Sequence, residues 1–377
     1  MDIIGLDFAK NTVLVNGQTV YRKVEYFRKE LAATNSSASQ WLPVCITTNG
    51  TVNGSIFVPK NPELFTYDPD GNLTSDGRWN YTWDGEDRLI SMVTHTTAGP
   101  GLKLVFEYDS QSRRISKTVS NYVSGAWQFA SKTVFLYDSW NLIAEFTTLN
   151  AASAPTLSRS YLWGTDLSGT PQGAGGVGGL LQVSFYGSGT TNCFVAFDGN
   201  GNVAGLVNAA DGAIFARYEY GPFAEPLRST GPLAQANPVR FSTKYQDDET
   251  DQLYYGYRYF KDGRWTSRDP LEERGGKNLY SFLGGDAINS RDSLGLFSFS
   301  IPYFFACPSD IRGHVCYGFS CRVRYPTLRL IPADQTQLAV CLGAANIEMS
   351  IGCLLNSSTR FRSGCTHALI CFVTWWQ

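Results

Sequence analysis

One short unit recurs between residues 65 and 221 and restricts this part of the chain to β structure. Four copies are nearly complete: Phe65-Thr-Tyr67-Asp68 with Gly71-Asn72-Leu73, Tyr81-Thr-Trp83-Asp84 with Arg88-Leu89, Phe106-Glu-Tyr108-Asp109 with Arg113 and Ile115, and Phe135-Leu-Tyr137-Asp138 with Asn141-Leu142. Looser copies follow at Tyr161-Leu-Trp163-Gly164, Val195-Ala-Phe197-Asp198 with Gly201-Asn202-Val203, and Tyr218-Glu-Tyr220-Gly221. The second aromatics of the full copies are spaced by 16, 25 and 29 residues, so the unit is fixed while the connecting loops vary.

Aromatic-x-aromatic sets two rings on one face of a strand, because side chains alternate with a period of two. The Asp that follows offers its carboxylate to turn amides, and Gly or Asn supplies the positive φ of a tight hairpin. A returning strand such as Leu142-Ile-Ala-Glu-Phe146 restores the alternation. One hairpin alone is marginal, so neighbouring units must pair edge to edge. With 14% aromatic and only 17% charged residues, and 37 Gly, the composition favours strands and turns. No segment carries a capped 3.6-residue apolar stripe. The expected fold is all-β, with stacked hairpins forming a twisted, spiralling, open sheet and a small unrelated C-terminal tail.

Charge and punctuation narrow the function. The 31 basic and 33 acidic residues give a net charge of -2, which argues against a nucleic-acid partner for the repeats. The N-terminus MDIIGLDFAKN has acids inside its first apolar run and no basic n-region, so no Sec-type leader is expected here, and any secretion would use another route or a missing upstream part. The longest apolar runs, such as 368–376, are too short to span a bilayer. Two tempting motifs fail on context. Gly173-Ala-Gly175-Gly-Val-Gly178 has dinucleotide-fingerprint spacing but runs into the alternating Leu-Leu-Gln-Val-Ser-Phe-Tyr, a strand and not a helix. Asp198-Gly-Asn200-Gly-Asn202 opens like a calcium loop, yet Val203 stands where Gly is required and Ala209 where the bidentate Glu belongs. No cofactor or metal is expected. The sequons at Asn35, Asn49, Asn53, Asn72, Asn80 and Asn356 matter only in a eukaryotic secretory host.

The repeated units resemble the YD repeats of RHS proteins. Downstream, Asp166-Leu-Ser-Gly-Thr, Gly175-Gly-Val-Gly-Gly-Leu-Leu181, Tyr218-Glu-Tyr-Gly-Pro-Phe223, Phe241-Ser-Thr-Lys-Tyr245, Tyr254-Tyr-Gly-Tyr-Arg-Tyr259, Gly263-Arg-Trp265, Arg268-Asp-Pro270 and Asn278-Leu-Tyr-Ser-Phe282 resemble the RHS repeat-associated core. The resemblance implies a shell of repeats closed at one end by the core, followed by a variable tail that is often a toxin. It implies a partial repeat or poorly ordered segment at 1–60, repeats at 61–230, the core at 231–296 and a variable Cys-rich tail at 297–377. It further implies self-cleavage by an aspartyl-type pair, Asp269 and Asp292, assisted by Arg258, with the scissile bond at Leu296-Phe297. The cargo would be the chain's own tail, with secretion machinery or an immunity protein as further partners.

The sequence departs from the family pattern in places. Ser293 stands where the second motif carries Pro, Gly285 and Ala287 replace an Asn and a Pro, and Lys261-Asp262 shortens the turn before Gly263. Two neighbouring carboxylates cannot both ionise cheaply, so one retains a proton while the other activates water. By residue type alone, Asp269 and Asp292 read equally as turn aspartates that cap local amides. The alternative to a toxin carrier is a non-enzymatic surface or adhesion protein, or an inactive tip.

The tail stands apart in composition. It contains no Lys, six Arg and seven of the 9 Cys, Cys307 to Cys371. Three readings stay open for it: a small toxin domain using His314 or His367, a disulfide-knit domain, or a decayed or out-of-frame segment.

Overall fold

The computed structural model describes residues 1–287 and 290–296, together with the backbone of short strands further on. Fourteen consecutive strands, from Thr66–Tyr67 to Pro226–Thr230, pair antiparallel in sequence order into one open sheet. Helical turns among the described residues are three single 3-10 turns, at Phe241–Thr243, Glu272–Arg274 and Leu283–Gly285. The all-β expectation is met.

Each repeat is more than an alternating hairpin. The strand register slips immediately before the second aromatic in all seven copies, at Thr66/Tyr67, Thr82/Trp83, Glu107/Tyr108, Leu136/Tyr137, Leu162/Trp163, Ala196/Phe197 and Glu219/Tyr220. Such a bulge turns the side chain aside and tightens the local twist. The first aromatic therefore sinks into the core, as Tyr81, Phe106, Phe135, Tyr161 and Tyr218 do. In five copies the second ring swings toward the preceding hairpin and donates to a backbone carbonyl there. Trp83 Nε1 reaches Leu73 O (2.7 Å), Tyr108 Oη reaches Leu89 O (2.7 Å), Tyr137 Oη reaches Arg114 O (2.9 Å), Trp163 Nε1 reaches Leu142 O (2.7 Å) and Tyr220 Oη reaches Val203 O (2.9 Å). Tyr or Trp supplies the ring donor in these five copies, whereas Phe197 in the sixth has none.

The turn Asp works as its position suggests. Asp68, Asp84, Asp109 and Asp198 each accept the amide four residues on, from Asn72, Arg88, Arg113 and Asn202, at 2.8 to 3.1 Å. The positive-φ position is Gly71 and Gly201 in two of these turns, but Asp87 and Ser112 in the others. The carboxylate bonds hold the backbone there without glycine.

The inner face of the sheet packs onto the segment that follows it. Tyr254 and Tyr259 join the cluster of Leu73, Trp79, Leu89, Met92 and Leu104, while Ala234 and Val239 join that of Leu180, Val183 and Leu206. Fully burying an aromatic or Leu side chain contributes about 1.5–3 kcal/mol. Residues 252–287 also build their own aromatic knot of Tyr255, Phe260, Trp265 and Phe282. A buried ion cluster ties the two parts: Asp247 takes Arg114 at 2.6 Å and Lys117 at 2.9 Å, and Lys117 also reaches Glu249 at 2.8 Å.

Residues 1–58 form a three-stranded and a four-stranded sheet around Ile3, Val15, Phe27 and Val44. They touch both ends of the large sheet. At the late end Tyr26 Oη donates to Glu219 (2.6 Å) and Arg228 pairs with Glu25 (2.8 Å). At the early end Ser39 and Thr96 share a hydrogen bond of 2.6 Å, and the Arg78 guanidinium lies over Trp41 and Phe57.

By contact density the chain divides into Met1–Phe299 and Ser300–Gln377. Among the described residues, the second unit shows three antiparallel strand pairs, Tyr303–Ala306 with Val315–Gly318, Arg329–Pro332 with Leu338–Cys341, and Ser350–Leu354 with Ile370–Thr374. The candidate residues His314 and His367 lie outside the described residues.

Candidate self-cleavage site

After the strand Gln252–Tyr254 the chain reverses at Gly256, whose φ of 113° suits glycine, and Tyr255 N closes the turn on Arg258 O at 3.0 Å. The turn buries Arg258 to 2% exposure, with its guanidinium over the Trp265 ring at 4.2 Å. Arg258 Nη1 lies 3.0 Å from Asp269 Oδ2 and Nη2 lies 3.6 Å from Asp292 Oδ2. Its Nε donates to Gly295 O. The three residues singled out in the sequence thus come together, with the two carboxylates joined through one guanidinium.

Both aspartates also cap turns. Asp269 Oδ1 accepts the Leu271 amide at 2.9 Å. Asp292 Oδ1 gathers the amides of Leu294, Gly295 and Leu296 at 3.2, 2.6 and 3.1 Å. The carbonyls on the other side of this loop are held as well: Ser293 O by Lys244 Nζ at 2.6 Å, Leu294 O by Tyr257 N at 3.1 Å, and Gly295 O by Arg258. The loop ends in Leu296 with every backbone group from Leu294 N to Gly295 O engaged. Asp292 builds it around Ser293, without the ring constraint of a proline at that position.

Electrostatics separates the groups. Burial pushes Asp292 up to about 6, against the pull of Arg258, the Gly295 and Leu296 amides and Lys244. Burial likewise lowers Lys244 to about 8, opposed by Asp292 and Asp166. Arg258 is held below its ordinary value by burial, opposed by both aspartates. A cavity of about 330 Å³ borders Asp269, lined by Arg88, Tyr108, Tyr257, Arg268 and Glu272 among others.

Sequence reasoning passed over Lys244 and Arg291. Lys244 had a signal, since a lone lysine flanked by Phe241 and Tyr245 in a core-plugging segment must find buried partners. Arg291, beside Asp292, carried none.

No family model matches the chain. Over 239 residues it is 28% identical to the tRNA3(Ser)-specific nuclease WapA of Bacillus spizizenii, which covers 61% of this chain and 9% of that protein. Over 250 residues it is 24% identical to the double-stranded DNA deaminase toxin A of Burkholderia cenocepacia, covering 62% of this chain and 17% of the relative. This chain is similar to the RHS-type polymorphic toxins. The crystal structure of TcdB2-TccC3 superposes with a TM-score of 0.49 at 15% identity, over 72% of this chain and 14% of that one. The chain spans under a fifth of the length of these curated relatives. The toxin relatives thus match this chain over its hairpin-rich part, and the likeness is to RHS-type toxins.

Proposed function

We propose that this chain is the shell and presentation end of an RHS-type polymorphic toxin that cuts itself between Leu296 and Phe297. In this reading residues 61–230 are the repeats, 231–296 the core, and 297–377 the released cargo. The observation that carries it is the Asp269–Arg258–Asp292 bridge, with the Asp292 carboxylate gripping the three amides that lead into Leu296.

The chemistry follows from the two environments. Asp292, raised to about 6, keeps its proton in mildly acidic solution and polarises the Leu296 carbonyl. Asp269, on the nearer nitrogen of Arg258 and beside the cavity, takes a proton from water. The water oxygen adds to the Leu296 carbonyl carbon. Collapse breaks the C–N bond, and a proton passes to the leaving Phe297 nitrogen, giving a Leu296 carboxylate and a Phe297 amine.

Intact-mass measurement of the 41.6 kDa chain beside an Asp269→Asn variant tests the proposal. Two fragments that meet at Leu296-Phe297, with the variant whole, support it. A wild-type chain that stays whole from acid to neutral pH overturns it.

A further inference from the structure

Two glycine-bearing loops converge on the segment carrying Asp292. The first runs through Gly173–Gly178. Asp166 Oδ2 accepts the amides of Ala174 and Gly176 at 2.7 and 3.1 Å and sets Gly175 at φ +61° against Ser293. A Cβ on Gly175 would lie 2.3 Å from Ser293 O, so the contact admits hydrogen alone. The second is the Asp198–Asn202 turn, closed by Asp198 Oδ1 on the amides of Asn200 (2.8 Å) and Asn202 (3.0 Å). Arg291, 4% exposed, enters this turn. Its Nε donates to Asn200 O at 2.9 Å, and its Nη2 to Gly199 O and Asn200 Oδ1 at 2.8 and 2.6 Å.

We infer that Arg291 is a positioning residue that docks the Asp292 strand on the Gly199–Asn200 turn, so that the cleavage site is complete only once the last repeats have folded. The inference rests on the proposed self-cleavage. Its physical basis is the strand Ser290–Asp292, in which successive side chains leave by opposite faces. Arg291 on one face fixes where Asp292 points on the other. A guanidinium fork matched to three acceptors is a directional anchor that an amide cannot reproduce. Two of those acceptors are main-chain carbonyls that are correctly aimed only while the turn is closed. Arg258 and Asp269 are set within the core itself, Arg258 over the Trp265 ring and Asp269 on Arg258.

The test uses the full chain from cell-free synthesis, pulse-labelled and followed as the cut fraction over time. Arg291→Gln is expected to cut at least tenfold more slowly, with the position of its pH limb unchanged, and Arg291→Lys to recover part of the rate. Amide exchange is read in parallel in an uncut Asp269→Asn background. There Arg291→Gln should release the Leu294, Gly295 and Leu296 amides at least tenfold faster while Tyr259–Lys261 stays protected. Unchanged exchange at those three amides, or loss of protection throughout the core, overturns the positioning role. A wild-type chain that never cuts overturns the self-cleavage reading instead, and the exchange arm still decides Arg291.

Discussion

Arg114 and Asp247, 133 residues apart in sequence, meet at 2.6 Å in the interior with side-chain exposures of 1% and 0%. Arg114 belongs to a repeat strand and Asp247 to the segment packed beneath the sheet, so the pair is where one part recognises the other. Tyr254, Phe135 and Phe106 face the guanidinium at 4.7, 5.0 and 5.3 Å and exclude water from it. Removing one member of a buried pair leaves an uncompensated charge and costs about 3–5 kcal/mol. Arg114→Met should therefore lower the urea midpoint by the equivalent of about 3–5 kcal/mol, discounted for the Lys117 that still faces Asp247. A loss below about 1 kcal/mol would mean that the pair does not hold core to sheet.

The pH response of the site is set by Asp292. Its pKa is raised to about 6 by burial, so the folded protein binds this proton more tightly than the unfolded chain does. Its contribution to stability is complete below the ordinary carboxylate range and is lost as pH rises through about 6. The cleavage rate should fall over the same window, because the acid form is the one that polarises the carbonyl. Asp292→Asn should abolish cleavage and flatten a stability change of about 1–3 kcal/mol between pH 4 and 7, as read by urea denaturation. A cleavage rate that climbs between pH 5 and 8 would reverse the assigned roles.

Hydroxyls on the second aromatics should matter where rings alone would not. Tyr108→Phe keeps the ring but strands Leu89 O and the Tyr259 hydroxyl, each 2.7 Å from the Tyr108 oxygen. The expected cost is about 1–2 kcal/mol, measured by chemical denaturation. No loss would show that another donor serves that carbonyl.

Two glycines of similar φ should respond differently to alanine. Gly175 at +61° faces Ser293 O, whereas Gly212 at +76° has nothing within 4 Å of a new Cβ. Gly212→Ala carries only the backbone strain of about 1 kcal/mol, while Gly175→Ala must also displace the loop bearing Ser293. Thermal melts should rank them in that order, and slowed cleavage should accompany Gly175→Ala alone.

How much of this is legible in the chain depends on distance along it. The hairpins are local, so aromatic-x-aromatic-Asp shows the strands, the turns and the capping role of Asp68, Asp84 and Asp109. The bulge before each second aromatic is not legible, because strict alternation is the only period such a short motif can display. It is nevertheless what separates the buried Phe106 from Tyr108, which reaches across to Leu89. Arg258, Asp269 and Asp292 are found through family resemblance, since spacing alone does not distinguish an ion-pair bridge from two turn caps. The fold makes them both. Lys244 and Arg291 act across 49 and 91 residues on backbone carbonyls, and a carbonyl leaves no trace in residue type.

The donation from a second aromatic to the hairpin before it, made in five of the seven copies, has an evolutionary corollary. A hairpin copied in tandem brings its own ring donor and its own free carbonyl, so each new neighbour is satisfied without any change elsewhere. Tyr108 answers to Leu89, Tyr137 to Arg114 and Trp163 to Leu142, whatever the lengths of the loops between them. Such a sheet lengthens by duplication alone. Its remaining constraint lies in the few turns, Gly173–Gly178 and Asp198–Asn202 foremost, that must also hold the segment leading to Leu296.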